Sequence, residues 1–488
     1  MLKKTVGLLA AVGLLTIAIF GIRSVFKNEA VKVSVEQPSK ADQRIVRAQQ
    51  LIERTPNSAD VYNQLAAAYM QKARETSDFS FNAHASEAIK QSLAIENDNY
   101  DALKLRAKLE LTYHRFADAL QTARRAQNFR NDDHDVWGQI TDALVELGDY
   151  KGAVEAAQKM VDLRPDSSAY ARVSYLRSLH GDTEGAIEAM NRAAQSANPN
   201  DPEGVAWCHV QLGNELLNAG RIEAAERQFD EALQIFPEHR LATEGKGRAK
   251  IASGNLQEAI AIYEHEQAKS PSADSAAVLG DLYAKLGRND LARSQYEKFE
   301  ILERANAELE RSWRHMVNFW LDHDRNLADS LTIAKREYEA RKDIFTCDTL
   351  AWAFFKNGDV QQAKTLINEA LRTGTKDARI KNHASVIYGH KRHKPYLISQ
   401  LVPLVLFVPF CGELLQLSEP SPLEPLRQLK HRRDRQCGGA DDQPVVQRQR
   451  DRAEGHFQNR NVKNQRQHDQ FPPDREVEPF VGERIAQH

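Results

Sequence analysis

Apolar residues recur along most of the chain with the period of helix faces, in pairs of runs separated by short polar turns. Positions 206–238 show the pattern most clearly, because Ala225, Phe229 and Ala232 follow one another at i, i+4 and i+7 before Pro237. That spacing places the three side chains on one face of a helix, and proline stops the helix beyond them. The segment therefore predicts two amphipathic helices joined by a tight turn.

A helix pair this short cannot bury its apolar faces alone, so it needs neighbours of the same kind. The chain supplies them. One alanine in the second helix of each predicted pair recurs at intervals of 33 to 39 positions, at Ala85, Ala119, Ala153, Ala186, Ala225, Ala259, Ala292, Ala328 and Ala363. This recurrence predicts a stacked array of helical hairpins.

The array resembles the tetratricopeptide repeat, a helix–turn–helix unit of about 34 residues. In positions 206–238 the resemblance is carried by Leu212, Gly213, Ala225, Phe229, Ala232 and Pro237. It covers about Asp42 to Tyr388 and implies an all-α, right-handed superhelical solenoid of about eight to nine repeats. Segments 170–181, 348–352 and 371–378 also resemble a group of bacterial repeat proteins with no assigned activity, which implies fold and lineage but no reaction.

The resemblance also implies where a partner binds, since the first helices of such repeats line a concave groove that holds a peptide or a partner helix. The groove positions implied by the repeat register are Asp142, Tyr175, Asn214, Arg248 and Asp281. Asn214 resembles the asparagine of carboxylate-clamp adaptors. However, the lysines of that clamp are absent from the matching positions, so its activity is not carried over. A solvated helix face is the alternative for each position.

An unbroken apolar run at positions 6–22 follows Lys3 and Lys4. Its length is at the lower end of the roughly 17–25 residues that span a bilayer as a helix. We predict a signal anchor in residues 1–30, with a cleaved signal peptide as the alternative, and a linker at 31–41. The repeats are then expected outside the cytoplasm, periplasmic or extracellular, and secreted if the segment is cleaved.

The repeat pattern, predicted over 42–389, stops abruptly. Residues 390–488 have little periodicity and are rich in Arg, Gln, Asp and His. Pro403 and Pro409 interrupt the apolar stretch at 396–411, which is therefore a poor membrane span. Two interpretations remain open: a natural disordered tail and the product of a shifted reading frame.

Composition and motifs give no indication of nucleic-acid binding, metal binding or catalysis. A net charge of −2 over 488 residues gives no general attraction to nucleic acid. The four cysteines lie far apart with no CxxC pair, so they predict neither a zinc site nor a disulfide framework. The chain has no GxxxxGK phosphate loop or GxSxG nucleophile motif. The acidic segment Asn131–Asp135 is interpreted as a helix cap rather than a metal loop.

These observations predict a non-enzymatic scaffold with no catalytic, metal or cofactor site. We expect it to be membrane-tethered or exported, and to bind a protein or peptide, not nucleic acid, through its concave groove. The alternative is the targeting arm of an enzyme whose catalytic part is missing or scrambled at the C-terminus.

Overall fold

The structure, a computed structural model, describes residues 39–76, 78–310 and 313–389, with side chains except at 75 and 306–310. In that part of the chain there are 20 helices and no strand, which confirms the all-α repeat solenoid. The predicted anchor at 6–22 and the tail at 390–488 lie outside the described residues. None of the helices described is both long and apolar enough to cross a membrane.

Nine consecutive helix pairs make up the array, preceded by α1 (Lys40–Arg54) and followed by α20 (Ala378–Gly389). The pairs are α2 (Ala59–Thr76) with α3 (Ser80–Ile95), α4 (Tyr100–Thr112) with α5 (Phe116–Phe129), α6 (His134–Glu146) with α7 (Tyr150–Leu163), α8 (Ser167–Leu179) with α9 (Thr183–Gln195), α10 (Pro202–Asn218) with α11 (Ile222–Ile235), α12 (Arg240–Ala252) with α13 (Leu256–Lys269), α14 (Ala273–Lys285) with α15 (Asn289–Glu310), α16 (Arg314–Asp322) with α17 (Leu327–Ala340), and α18 (Ile344–Lys356) with α19 (Val360–Ala370).

Aromatic rings packed on glycines hold neighbouring pairs together. The Phe229 ring on α11 is fully buried between Gly213 on α10 and Gly245 on α12. A Cβ atom added to Gly213 would lie only 2.6 Å from the ring, and one added to Gly245 would lie closer still. The two glycines therefore let the aromatic ring touch helix backbone on both sides.

The alanine register is confirmed in eight of its nine positions and wrong in one. Ala328 on α17 is exposed, whereas Ser330 is fully buried. Ser330 is the fourth residue of its helix, the position that Ala363 holds in α19. The shift arises because α17 begins only at Leu327, after Asn326 has turned the chain through the left-handed conformation at φ 44°.

The last pairs of the array return to its middle. The Lys342 amide donates to the Glu146 carbonyl at 3.2 Å, and the Ile344 amide donates to the Tyr150 hydroxyl at 2.9 Å. Close by, the Thr373 hydroxyl donates to the carbonyl of Leu179. We call this junction of α6–α8 with residues 341–346 and 372–374 the return contact. It closes the curved array on itself.

A buried charge cluster stabilises the return contact. The Arg341 guanidinium, 3% exposed, lies 3.3 Å from the Glu146 carboxylate, and Arg314 lies 3.2 Å from Asp343. Burial alone would raise the pKa of Asp343, but Arg314 and Arg341 hold it below its ordinary value. Burial and the charge of Asp343 instead raise the pKa of Glu146. Removing either arginine would leave a buried carboxylate without its partner, which is strongly destabilising.

Candidate functional site

The first helices of successive pairs enclose a cavity of about 170 Å³ on the inner face of the array. Helices α10, α12, α14 and α16 form most of its wall, and α20 closes one end with Arg379. We call it the central cavity. Three of the five predicted groove residues, Asn214, Arg248 and Asp281, line it together.

The other two predicted groove residues lie elsewhere. The Asp142 carboxylate accepts two hydrogen bonds from Arg172, at 2.8 Å from Nε and 2.7 Å from Nη2. Tyr175 is half-buried against the apolar cluster shared by the middle and final pairs, and burial raises the pKa of its phenol well above the ordinary value. Asp142 is thus committed to an internal ion pair, and the roles predicted for both residues stay predictions.

Asn214 and Arg248 occupy corresponding positions one repeat apart on α10 and α12. Arg248 Nη2 donates to Asn214 Oδ1 at 2.7 Å, which fixes the guanidinium at the cavity wall. Its Nε–H is buried and has no hydrogen-bond acceptor among the described residues. A buried donor without an acceptor costs about 1–3 kcal/mol, so Arg248 retains an unmet capacity to bind an acceptor.

Asp281 on α14 is already engaged at the opposite wall. Its Oδ1 accepts from the Tyr296 hydroxyl at 2.7 Å and lies 3.1 Å from His323 Nε2. Burial lowers the pKa of His323, but the hydrogen bond and charge of Asp281 outweigh it and raise that pKa overall. The histidine is therefore stabilised in its charged form.

Asp274, in the first turn of α14, is a cavity residue that sequence reasoning missed. Its carboxylate is half-buried and makes no hydrogen bond or ion pair with any described residue. Burial raises its pKa to about 6, with His315 partly opposing the shift and Glu244 adding to it. In sequence it resembles any acidic residue at a helix start, so nothing there distinguishes it.

The acidic segment near α6 acts as the predicted cap. Asp133 accepts a hydrogen bond from the Asp135 amide at 2.9 Å, which satisfies one of the free donors at the start of the helix. Asp133, His134 and Asp135 lie close enough to hold an ion. However, Lys104 already pairs with both carboxylates, at 2.8 Å and 2.7 Å. The capping interpretation is confirmed.

The burial of Glu215 on α10 is expected to make the stability of the folded protein depend on pH. Burial raises the pKa of Glu215 to about 7, with one hydrogen bond from Ser178 opposing the shift, and its Oε1 has no partner in the described part of the chain. Since the folded pKa lies above the unfolded value, the folded state loses stability as pH rises from about 4.5 through 7. We expect Glu215→Gln to raise the free energy of unfolding by about 2–3 kcal/mol at pH 8 and little at pH 4.

Urea unfolding at both pH values measures this effect. Glu223→Gln, an exposed position on α11, is the control and should change little at either pH. Equal effects of Glu215→Gln at pH 4 and pH 8 would contradict the buried charge.

The fold and the cavity together define an all-α repeat solenoid with a lined inner face. Residues 141–202 and 210–274, from α6 to α14, match the family model described as tetratricopeptide repeat. These two segments are tetratricopeptide repeats. The match explains why Asn214 and Arg248 lie one repeat apart on the same inner face.

Solved structures with a similar arrangement include yeast Tom70 (13% identity, 74% of this chain, 95% of that chain, TM-score 0.38) and the human IFIT1 dimer with m7Gppp-AAAA (13%, 68%, 77%, 0.43). Another is Naa15/Naa10 bound to HypK-THB (17%, 72% of this chain, TM-score 0.27), where the alignment spans only 63% of that chain. No curated protein matches the sequence. At these TM-scores no ligand or activity is transferred.

Proposed function

We propose that this protein is a membrane-tethered or exported scaffold that binds a protein or peptide on its concave face. Tetratricopeptide repeats are typically protein-binding, non-catalytic scaffolds. The observation that supports this site is the convergence of Asn214, Arg248 and Asp281 on the central cavity. Positions 6–22 supply the tether in this proposal, with the repeats outside the cytoplasm.

The inner face suits this role because its polar groups are fixed before a partner arrives. Asn214 orients Arg248, and Tyr296 orients Asp281, so neither side chain must be ordered on binding. Holding rotamer-rich side chains in place beforehand avoids about 0.5–1.5 kcal/mol of ordering cost for each. The partner gains acceptors and donors at fixed positions along the groove.

A binding comparison tests the proposal. We expect Arg248→Gln in the tagged full chain to weaken partner capture by about 10–100-fold, since a hydrogen bond to a charged group is worth about 1.5–3 kcal/mol. Arg227→Gln, an exposed position on α11 outside the cavity, is the matched control. Equal capture by both variants would contradict the concave-face proposal.

A further inference from the structure

Two charges of opposite sign border the central cavity without an ion pair. No ion pair among the described residues involves Arg248 or Asp274. The other charged side chains on the cavity wall are paired: Arg240 with Glu244 at 2.6 Å, His323 with Asp281 at 3.1 Å, Arg379 with Asp322 at 3.2 Å, and His315 with Glu303 at 3.5 Å. Arg248 and Asp274 are therefore the two charged members of the wall that have no ion-pair partner among the described residues.

Both groups line the central cavity, together with Tyr263. The phenol of Tyr263, another wall residue, donates to the Glu244 carbonyl at 3.1 Å. Burial raises the pKa of Tyr263, and the charges of Arg248 and Asp274 act on it in opposite directions. Both charges are therefore close enough to Tyr263 to act on it. No ion pair between them is formed in the part of the chain that the structure describes.

Neither group has its full set of partners among the described residues. There, Arg248 Nε is buried without an acceptor, and the half-buried Asp274 carboxylate accepts no hydrogen bond. Buried charges in folded proteins are almost always paired or hydrogen-bonded, because removing them from water is costly. His315 and Arg240 only partly offset the burial of Asp274, and each of them is itself paired with a glutamate. A ligand carrying both complementary charges would satisfy both groups at once.

The shape of the cavity limits the size of that ligand. Its volume of about 170 Å³ is more than ten times the roughly 10–15 Å³ that one water needs, but below the 300–1,000 Å³ of drug-sized sites. The rest of its wall is mixed, with the polar Gln211 and Asn318 beside a larger apolar part formed by Val210, Leu241, Ala277, Val278, Phe299 and Phe319. A small molecule with an apolar side chain fits these surroundings.

We propose that the central cavity binds an α-amino-acid zwitterion with an apolar side chain. Its carboxylate accepts from Arg248 beside Asn214, and its ammonium group donates to Asp274. The side chain lies against Val278 and Phe319. This goes beyond the scaffold role, because the site needs no protein partner. The terminus of a bound peptide would offer only one of the two charges that a free amino acid carries.

Calorimetric titration of the purified full chain with L-leucine tests the inference. L-leucine is expected to bind at least tenfold more tightly than N-acetyl-L-leucine, which lacks the ammonium charge, and L-leucinamide, which lacks the carboxylate. Equal binding of all three compounds, or no heat with L-leucine up to millimolar concentration on folded protein, would overturn the assignment.

Two variants assign each charge of the ligand to its residue. Asp274→Asn should bind L-leucine at least tenfold more weakly and lose the preference over N-acetyl-L-leucine. Arg248→Gln should lose the preference over L-leucinamide. The exposed positions Arg227→Gln and Asp118→Asn serve as controls and should titrate as the wild type does.

The Asp274→Asn variant also shows whether Asp274 binds the ligand or only stabilises the start of α14. If Asp274 serves only the helix terminus, Asp274→Asn should lower the melting temperature and leave titration with L-leucine unchanged, and that result overturns the inference. If L-leucine fails to bind while Arg248→Gln still weakens partner capture, the zwitterion site is wrong and the scaffold proposal stands.

Discussion

Phe229→Ala is expected to lower the free energy of unfolding by about 3–5 kcal/mol, the usual cost of truncating a fully buried aromatic side chain. The ring on α11 has no exposed surface and packs directly on backbone at Gly213 and Gly245. Those glycines have no side chains that could move into the void, so the cavity left behind remains open. Urea unfolding monitored by circular dichroism measures the loss.

A second substitution tests the packing itself. Gly245→Ala alone places a Cβ within the space of the Phe229 ring, and overpacking of this kind costs about 1–3 kcal/mol. In the Phe229→Ala background the clash is gone. The alanine should then stabilise by about 0.5–1 kcal/mol, because glycine is unfavourable within a helix. An effect of the same sign in both backgrounds would contradict the ring-on-glycine contact.

Gly148→Ala is expected to destabilise the protein by about 2–5 kcal/mol, more than the same change at the equivalent turn glycine, Gly254. Both glycines have positive φ, 79° and 82°, so alanine carries a backbone cost of about 1–2 kcal/mol at each. Only Gly148 is covered, since an added Cβ would lie 2.5 Å from the carbonyl oxygen of Lys342. Gly254 has no atom within 4 Å of that position.

Hydrogen exchange distinguishes a strained turn from an opened return contact. In Gly148→Ala the amides of Lys342 and Ile344 should exchange faster, because their acceptors, the Glu146 carbonyl and the Tyr150 hydroxyl, move away. In Gly254→Ala they should exchange at the wild-type rate. If the two variants lose the same stability and exchange alike, the last pairs do not pack on the middle of the array.

The helix pairs could be predicted from sequence because their packing is local. Ala225, Phe229 and Ala232 contact residues within one repeat along the chain, so a fixed spacing reveals them. The return contact could not be predicted in this way. Glu146 and Arg341 lie 195 positions apart, and their meeting depends on the accumulated curvature of the intervening pairs. A small shift such as that from Ala328 to Ser330 is likewise invisible until the start of α17 is known.

Part of the candidate site could be predicted from the repeat register, and part could not. The repeat register brought Asn214, Arg248 and Asp281 to one face, because equivalent positions of stacked repeats are neighbours in space. The register could not show that Asp142 forms an ion pair with Arg172. Nor could it select Asp274, which lines the same cavity from the first turn of α14 rather than from an equivalent position of the repeat.

Photo-crosslinking in cells tests most directly that the concave face is where a partner binds. A photoreactive residue at position 278, on the cavity wall, should give a discrete adduct with a protein or peptide, and Arg248→Gln should abolish it. The same residue at position 227, on the exposed face of α11, should give none. An adduct formed from 227 and not from 278 would contradict the account.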